Sequence, residues 1–227
     1  MSKFRTIEAR ARARKGDELD VILSERLHPV LSAPDMAETA DDRWLSAMAK
    51  GVFAAGFRWK VVQAKWAETE EAFIGFAPKL VASLSVDAER ALAQDRRIIR
   101  NPQKIRAAIE NAQMVQRVSG EHGSFGKFVS GWPDDDVIGL WAWLKANGTR
   151  LGGDTGPRVL RHMGKDTFIL TGDVTHGLTT AGLMTAKPTS KRGQREAQAA
   201  FNSWRAETGR SMAELSLILA MSVDRPM

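Results

Sequence analysis

The stretch Leu151 to His176, LGGDTGPRVLRHMGKDTFILTGDVTH, decides how the rest of this chain is read. Just before it, Leu140 to Lys145 closes one helix and Asn147-Gly148 breaks it. Gly152, Gly153 and Gly156, with Pro157, then form a tight connection into a second helix from about Pro157 to Met163. A two-helix hairpin of this kind needs residues that tolerate positive φ, and a backbone without side chains lets an anion come close. The N–H groups at the second helix start, beside Arg158, would hold a phosphate without reading base sequence. The plainer reading is a surface turn between packed helices. Beyond the hairpin come Asp173, a lone carboxylate, and His176.

Working outward, the composition favours a polyanionic partner. The chain has 227 residues, enough for a full core as one domain or as two lobes sharing a cleft. Lys and Arg number 33 against 27 Asp and Glu, for a net charge of +6 and a pI of about 9.8. The positive charge falls into three groups: Arg96, Arg97, Arg100, Lys104 and Arg106; Arg150, Arg158, Arg161 and Lys165; and Lys187, Lys191, Arg192 and Arg195. Spaced in this way they suit the walls of a groove, or simply solvated helix faces.

Several classes are excluded. With no cysteine, disulfides and thiolate metal sites cannot form. His28, His122, His162 and His176 are scattered and show no ligand spacing, so neither a metal site nor a cofactor is expected. The basic N-terminus carries Glu8 and no apolar run, which argues against a secretory signal and for a frayed first helix. No apolar stretch is long enough to cross a bilayer. The expectation is a cytoplasmic, monomeric protein.

Helix signals dominate. Apolar residues recur at three and four over 41–66 (Leu45, Met48, Val52, Phe53, Val61, Val62), with Asp41 or Asp42 able to cap and Gly51 and Gly56 as interruptions. A short helix over 67–76 follows. Ser85 caps a helix to Gln94, and Asn101-Pro102 starts one whose buried stripe is Ile105, Ala108, Ile109, Ala112 and Met114 or Val115, stopping at Ser119-Gly120. Pro133 and three aspartates open a helix carrying Leu140, Trp141 and Leu144. Another spans Gly193 to Glu207. Ser211, with Glu214 three residues on, opens a last amphipathic helix. The pattern predicts an all-α chain of about ten helices with no sheet and no repeat.

Three segments carry a family resemblance: GFRWKVVQAKWAETEEAF, QDRRIIRNPQKIRAAIENAQMV, and the stretch from Trp141 to Gly164. In order and spacing they resemble the type I 3-methyladenine DNA glycosylases of the helix-hairpin-helix base-excision superfamily, most specifically through IIRNPQKIRAAIENA. The resemblance covers residues 40–185. It implies a two-lobed helix-hairpin-helix fold around a central cleft, with helices from the two termini packed together and the hairpin at 140–164. It also implies an enzyme of base-excision repair that acts on alkylated bases in double-stranded DNA.

The departures shape the expectation. The family's structural zinc is held by cysteine and histidine, and this chain has no cysteine. The family glutamate that contacts the methylated base should fall near Lys50-Gly51, where no carboxylate stands, while the aromatic partner of the base survives as Trp59. Asp173 resembles the catalytic aspartate of other superfamily members. Where bifunctional members keep a Schiff-base lysine, the resemblance places Arg158 or its neighbours.

An alkylated purine that carries positive charge is already a good leaving group. The protein must flip it, hold it against aromatic faces and stabilise the oxocarbenium-like sugar. These roles fall to Asp173 as the catalytic carboxylate, to Trp59 with Phe53, Phe57 and Trp44 (and Trp66 beside them) as the base pocket, and to Gly152, Gly153, Gly156, Arg158 and His176 as DNA contacts. For Asp173 the alternative is a helix cap, and for Trp59 a core tryptophan. The reading that emerges is a monofunctional DNA glycosylase acting on alkylated purines, 3-methyladenine foremost. A catalytically inactive DNA-binding or damage-sensing protein of the same fold, and a helical scaffold with no DNA role, are its rivals.

Overall fold

The computed structural model describes residues 3–224. Among them the regular elements are helices alone, fifteen α-helices and one 3-10 turn. In chain order these are α1 (Lys3–Lys15), α2 (Glu18–Arg26), α3 (Ala33–Ala37), α4 (Asp41–Ala54), α5 (Trp59–Ala64) and α6 (Trp66–Ala72). The 3-10 turn Ile74–Phe76 precedes α7 (Pro78–Ala82), α8 (Val86–Gln94), α9 (Pro102–His122) and α10 (Phe125–Ser130). Then come α11 (Val137–Asn147), α12 (Thr155–His162), α13 (Gly172–Thr180), α14 (Lys191–Thr208) and α15 (Met212–Met221). The count exceeds the expected ten because α3, α5, α7 and α10 are only five or six residues long, too short to show a helical period.

The chain divides into two compact units. One comprises Leu31–Trp132 and Leu140–Lys165; the other comprises residues up to Val30, Pro133–Gly139 and those from Asp166 onward. The first unit is built on α9, which packs against α4, α7, α8 and α10. Its buried residues include Ile105, Ala108, Ile109, Ala112, Met114, Val115 and Val118. Burying each of the larger ones contributes roughly 1.5–3 kcal/mol against leaving it exposed. Asn101 opens the helix by accepting from the Lys104 N–H at 3.1 Å. The helix runs through Ser119 and Gly120 to His122, where Gly123 at φ 88 ends it.

The run expected as one helix over 41–66 is three pieces. Helix α4 stops at Ala54, Gly56 turns the chain at φ 77, and α5 and α6 follow. Nor does Asp41 cap α4. Its carboxylate accepts from the Ser119 hydroxyl at 2.5 Å and the Phe125 N–H at 2.8 Å, tying the helix start to α9 and α10.

In the second unit α15 packs against α1, α2, α13 and α14. Helix α1 is docked, not frayed: Phe4, Ile7 and Ala11 are buried, and Phe4 lies 5.2 Å from Trp204 of α14. Its arginines are used locally, Arg12 against Asp20 and Arg14 against Asp224. The start of α15 shows why its cap works. Ser211 accepts from Glu214 N–H at 3.1 Å, and the buried Asp166 takes the Met212 and Ala213 N–H groups at 2.9 and 3.0 Å, so three orphan donors of the first turn are satisfied.

Glu196 of α14 performs a similar task on the preceding loop. It accepts from the Thr185 and Ala186 N–H groups at 2.7 and 3.1 Å and from Arg192 at 2.9 Å, and these bonds pull its carboxyl down to about 2 from a usual 4.5. A depressed carboxylate stabilises the fold above its unfolded value, and that contribution is lost as pH falls. The Glu196 contribution should therefore be complete above about 4.5 and vanish toward 2. Thermal melts of Glu196→Gln and wild type should differ at neutral pH and converge in acid. Parallel curves across that window would sink the assignment.

Candidate active site

The Leu31–Lys165 unit holds an aromatic cluster built from α4, α6 and the turn after it. Trp66 stacks on Phe76 at 5.6 Å and 8°, and Phe76 stacks on Phe73 at 5.0 Å and 7°. Phe53 meets Trp66 and Phe73 edge-on, 6.3 Å from each. To bring Phe76 under Trp66 the chain makes a left-handed turn at Ile74, Gly75 and Phe76, with φ of 55, 63 and 57. Ile74 and Phe76 are residues that rarely adopt such angles, and strain of this kind persists only where surrounding packing enforces it.

A polar chain fixes the upper edge of the cluster. Trp66 Nε1 donates to Ser46 Oγ at 3.2 Å, Ser46 donates to Glu70 Oε1 at 2.6 Å, and Arg43 Nη1 donates to the same oxygen at 2.8 Å. Arg43 Nη2 also holds the Gly75 carbonyl at 3.1 Å, bracing the strained turn. Burial by itself would push the Glu70 carboxyl up, but the bonds from Ser46 and Arg43 and the guanidinium charge hold it below its usual range. Glu70 is thus a carboxylate tied to the aromatics through Ser46, and sequence reading missed it. Its partners lie 24 and 27 residues away, with no motif linking them.

Outside this braced layer stand two exposed aromatics, Phe57 (46% exposed) and Trp59 (49%). Lys104 holds the loop that carries them. Its Nζ donates to the Phe53 and Ala55 carbonyls at 2.9 and 2.6 Å, capping the end of α4, and lies 4.4 Å from the Phe57 ring centroid. Lys50 Nζ lies over the Trp59 ring at 5.3 Å and over Trp66 at 5.5 Å. Next to it, Gly51 abuts α12: a Cβ there would stand 2.9 Å from Val159 Cγ2 and 3.3 Å from Thr155 Cγ2. Close packing of α4 on α12 therefore leaves no room at 51 for the glutamate that the resemblance calls for. Trp44, by contrast, is fully buried in the core, 5.4 Å from Phe125. Phe53 is 1% exposed and forms the floor of the cluster.

The hairpin joins α11 to α12 through residues 148–154. Asn111, fully buried on α9, clamps it: its side chain accepts from Thr149 N–H at 2.8 Å and donates to the Thr149 carbonyl at 3.1 Å. Arg150 (φ 61) and Gly153 (φ 61) are the left-handed residues. Gly152 and Gly156 are not. Gly156 lies in the first turn of α12, and glycine is required there because a Cβ would stand 2.6 Å from the Leu151 carbonyl oxygen. The second helix begins at Thr155, two residues before the expected Pro157. Arg158 projects outward, its side chain 58% exposed beside Asp154 at 3.5 Å.

The three basic groups are not continuous cationic walls. Lys104 and Lys165 point inward, the latter donating to the Trp132 carbonyl at 2.9 Å. Arg97, Arg106 and Arg192 pair with Asp95, Glu89 and Glu196. Arg96, Arg100, Arg150 and Arg158 remain exposed.

In the other unit, Asp173 is the second residue of α13. The cap there is Thr171, whose hydroxyl accepts from the Val174 N–H at 3.3 Å. Asp173 is half-buried, and among the described residues its carboxylate has no hydrogen-bond partner. His176, one turn on, is likewise half-buried. A zinc centre does not suit this chain, since it has no thiolate and no cluster of three or more potential ligands among the described residues. No described helix is long and apolar enough to cross a membrane.

Solved structures share this arrangement of helices. A variant of 3-methyladenine DNA glycosylase I, solved in complex with 3-methyladenine, is 22% identical and aligns with 68% of this chain and 91% of its own at a TM-score of 0.52. A Staphylococcus aureus 3-methyladenine DNA glycosylase I, solved for its recognition of 3-methyladenine, is 23% identical over 66% and 86% with a TM-score of 0.51. The H. pylori 3-methyladenine DNA glycosylase bound to 1,N6-ethenoadenine is 14% identical but aligns over 98% of this chain and 94% of its own, at 0.50. At such identities these likenesses concern the fold. The sequence itself goes further: the profile of the methyladenine glycosylases matches residues 36–175, from the end of α3 through the aromatic cluster, the Asn111 clamp and the hairpin into α13. With more than half its length matched by that profile, the chain belongs to the methyladenine glycosylase family.

Proposed function

We propose that this chain is a monofunctional DNA glycosylase that releases alkylated purines from double-stranded DNA, 3-methyladenine being the member of that class that the family's name carries. The carrying observation is Trp59, an indole left 49% exposed at the rim of an otherwise buried and braced aromatic cluster. A core tryptophan would be covered. An open indole offers a stacking face for an extruded base. The 3-methyladenine and 1,N6-ethenoadenine bound in two of the matched glycosylases are both alkylated purines, which supports the same class here.

The remaining roles follow from the chain's own groups. The hairpin, with Arg150 and Arg158 exposed beside it, would hold a phosphate through backbone N–H groups and positive charge. Asp173, free of capping duty, would stabilise the cationic sugar or activate water. His176 would assist as a phosphate contact. A double-stranded DNA partner and a monomeric state are part of this proposal.

The deciding experiment is chromatographic detection of free bases released from methylated duplex DNA. An inactive damage sensor would bind such DNA with a steep salt dependence and release nothing. Within this scheme Trp59→Ala should weaken recognition of the damaged base by roughly 1–3 kcal/mol, the usual worth of base–aromatic stacking. It should barely move the melting temperature, since the ring is half in solvent. A variant that recognises and excises the base as well as wild type would return Trp59 to a packing role.

A further inference from the structure

Lys50 of α4 covers part of the base platform, and none of the roles assigned above accounts for it. Its ammonium lies 5.3 Å from the Trp59 ring centroid and 5.5 Å from that of Trp66. Among the described residues it has no hydrogen-bond or ion-pair partner, so the two indoles are what hold it. Glu70 stands behind the same indoles. Trp66 Nε1 donates to Ser46, Ser46 donates to Glu70, and the bonds from Ser46 and Arg43 keep that carboxylate ionised. Its negative charge reaches the Lys50 ammonium and favours it, although burial works the other way and prevails.

These contacts make a seat for positive charge with an ill-suited occupant. An ammonium is compact and strongly hydrated, and this one has exchanged part of its water for ring faces without gaining a hydrogen bond. A purine with a fixed positive charge spreads that charge over two fused rings. It loses less hydration on entry, lays a flat face on Trp59 and meets the same field from Glu70. Lys50 can give way, because its four-carbon stem is flexible and no hydrogen bond or ion pair ties down its end. Once displaced, the ammonium recovers its water, and the phosphates of bound DNA attract it.

We propose that Lys50 is a place-holder for the substrate: its ammonium stands on the seat that the cationic purine takes, the entering base displaces it, and Glu70 is the carboxylate that makes the seat favour a cation. This rests on the reading of the chain as a glycosylase for alkylated purines with Trp59 as its base platform.

The test uses two ligands that share one methylated edge. The salt 3,9-dimethyladenine keeps the fixed positive charge that 3-methyladenine carries within DNA, whereas free 3-methyladenine is neutral in mildly alkaline buffer. Quenching of tryptophan fluorescence in the full chain gives the affinity of each. Either ligand must displace Lys50, so Lys50→Ala should tighten both by about two- to fivefold, the worth of an exposed cation–π contact. With the seat cleared, the charged ligand should bind about fivefold more tightly than the neutral one. Glu70→Gln keeps an oxygen for Ser46 and Arg43. It should abolish the preference for charge and leave the affinity for 3-methyladenine within about twofold of wild type. If Lys50→Ala binds the two ligands no better than wild type does, or neither quenches at millimolar concentration, the place-holder is overturned. Equal affinity for the two ligands in Lys50→Ala overturns the charge-selective seat, whether or not Glu70→Gln folds. Release of 3-methyladenine from methylated duplex DNA by wild type is followed in parallel. Tighter binding by Lys50→Ala without any release would sink the glycosylase reading and leave the seat standing, and release with no gain from Lys50→Ala would do the reverse.

Discussion

Asp173→Asn is expected to lower the rate of base excision by about 10²- to 10⁴-fold while leaving affinity for DNA where it was, the span that a positioned carboxylate supplies. In barrier terms this is roughly 3–5 kcal/mol. The substitution is nearly isosteric and removes only the charge. It does not remove a cap, because Thr171 supplies that bond to Val174 N–H. Asp173 stands in the first turn of α13, the end of a helix whose dipole favours an anion. A cationic base leaves readily, so with such a substrate the loss should lie at the low end of the range. A neutral base demands more of the enzyme and should show the larger loss. Thr171→Ala is the control, costing about 1 kcal/mol of stability through the lost cap. Single-turnover base release on both variants separates the two roles. If Asp173→Asn excises as fast as wild type, the carboxylate is a first-turn helix residue and the chemistry lies elsewhere.

What could be read from sequence, and what could not, divides by the range of the interactions. Ser85, Asn101 and Ser211 cap helices as expected, because each bonds to an N–H three residues on. The hairpin glycines were visible as glycines, but their reasons were not. Gly153 needs its left-handed φ, whereas Gly156 needs the absence of a Cβ against Leu151. Helix α1 looked like a loose basic segment because its buried face is only Phe4, Ile7 and Ala11, and Arg12 and Arg14 pair with Asp20 and Asp224 from other parts of the chain. The bracing of the aromatic cluster was invisible: Arg43, Ser46, Trp66 and Glu70 meet only once α4 and α6 are folded side by side. Lys104 looked like one of several surface cations, and it is a buried clamp on the α4 terminus. Trp44 and Trp59 could not be told apart by sequence, since only packing leaves one covered by Phe125 and the other half in solvent.

The hairpin glycines should therefore respond differently to substitution, and the difference tests whether this loop is a phosphate grip. At Gly156 a side chain meets backbone: its Cβ would lie 2.6 Å from the Leu151 oxygen, which is the acceptor for Gly156's own N–H at 3.1 Å, with Leu144 Cδ1 at 3.3 Å behind. The nearer wall is backbone and cannot swing aside as a side chain can, so the loop must shift away from α12. Gly156→Val should cost about 1–3 kcal/mol or more, as overpacked sites do. Each kcal/mol should appear as a fall of about 2–4 °C in Tm for a chain of this size. At Gly153 there is open space and the obstacle is φ alone, so Gly153→Ala should cost about 1–2 kcal/mol and fold normally. Both should weaken binding to duplex DNA without regard to base sequence, because both disturb backbone N–H groups and not base contacts. Asn111 still holds the start of the loop through both backbone groups of Thr149. Binding isotherms at several salt concentrations read this directly: a loop that has lost a phosphate shows a shallower salt slope as well as a weaker Kd. A folded Gly153→Ala protein with unchanged affinity and unchanged slope would show that the hairpin is a turn and that DNA is held by other parts of the chain.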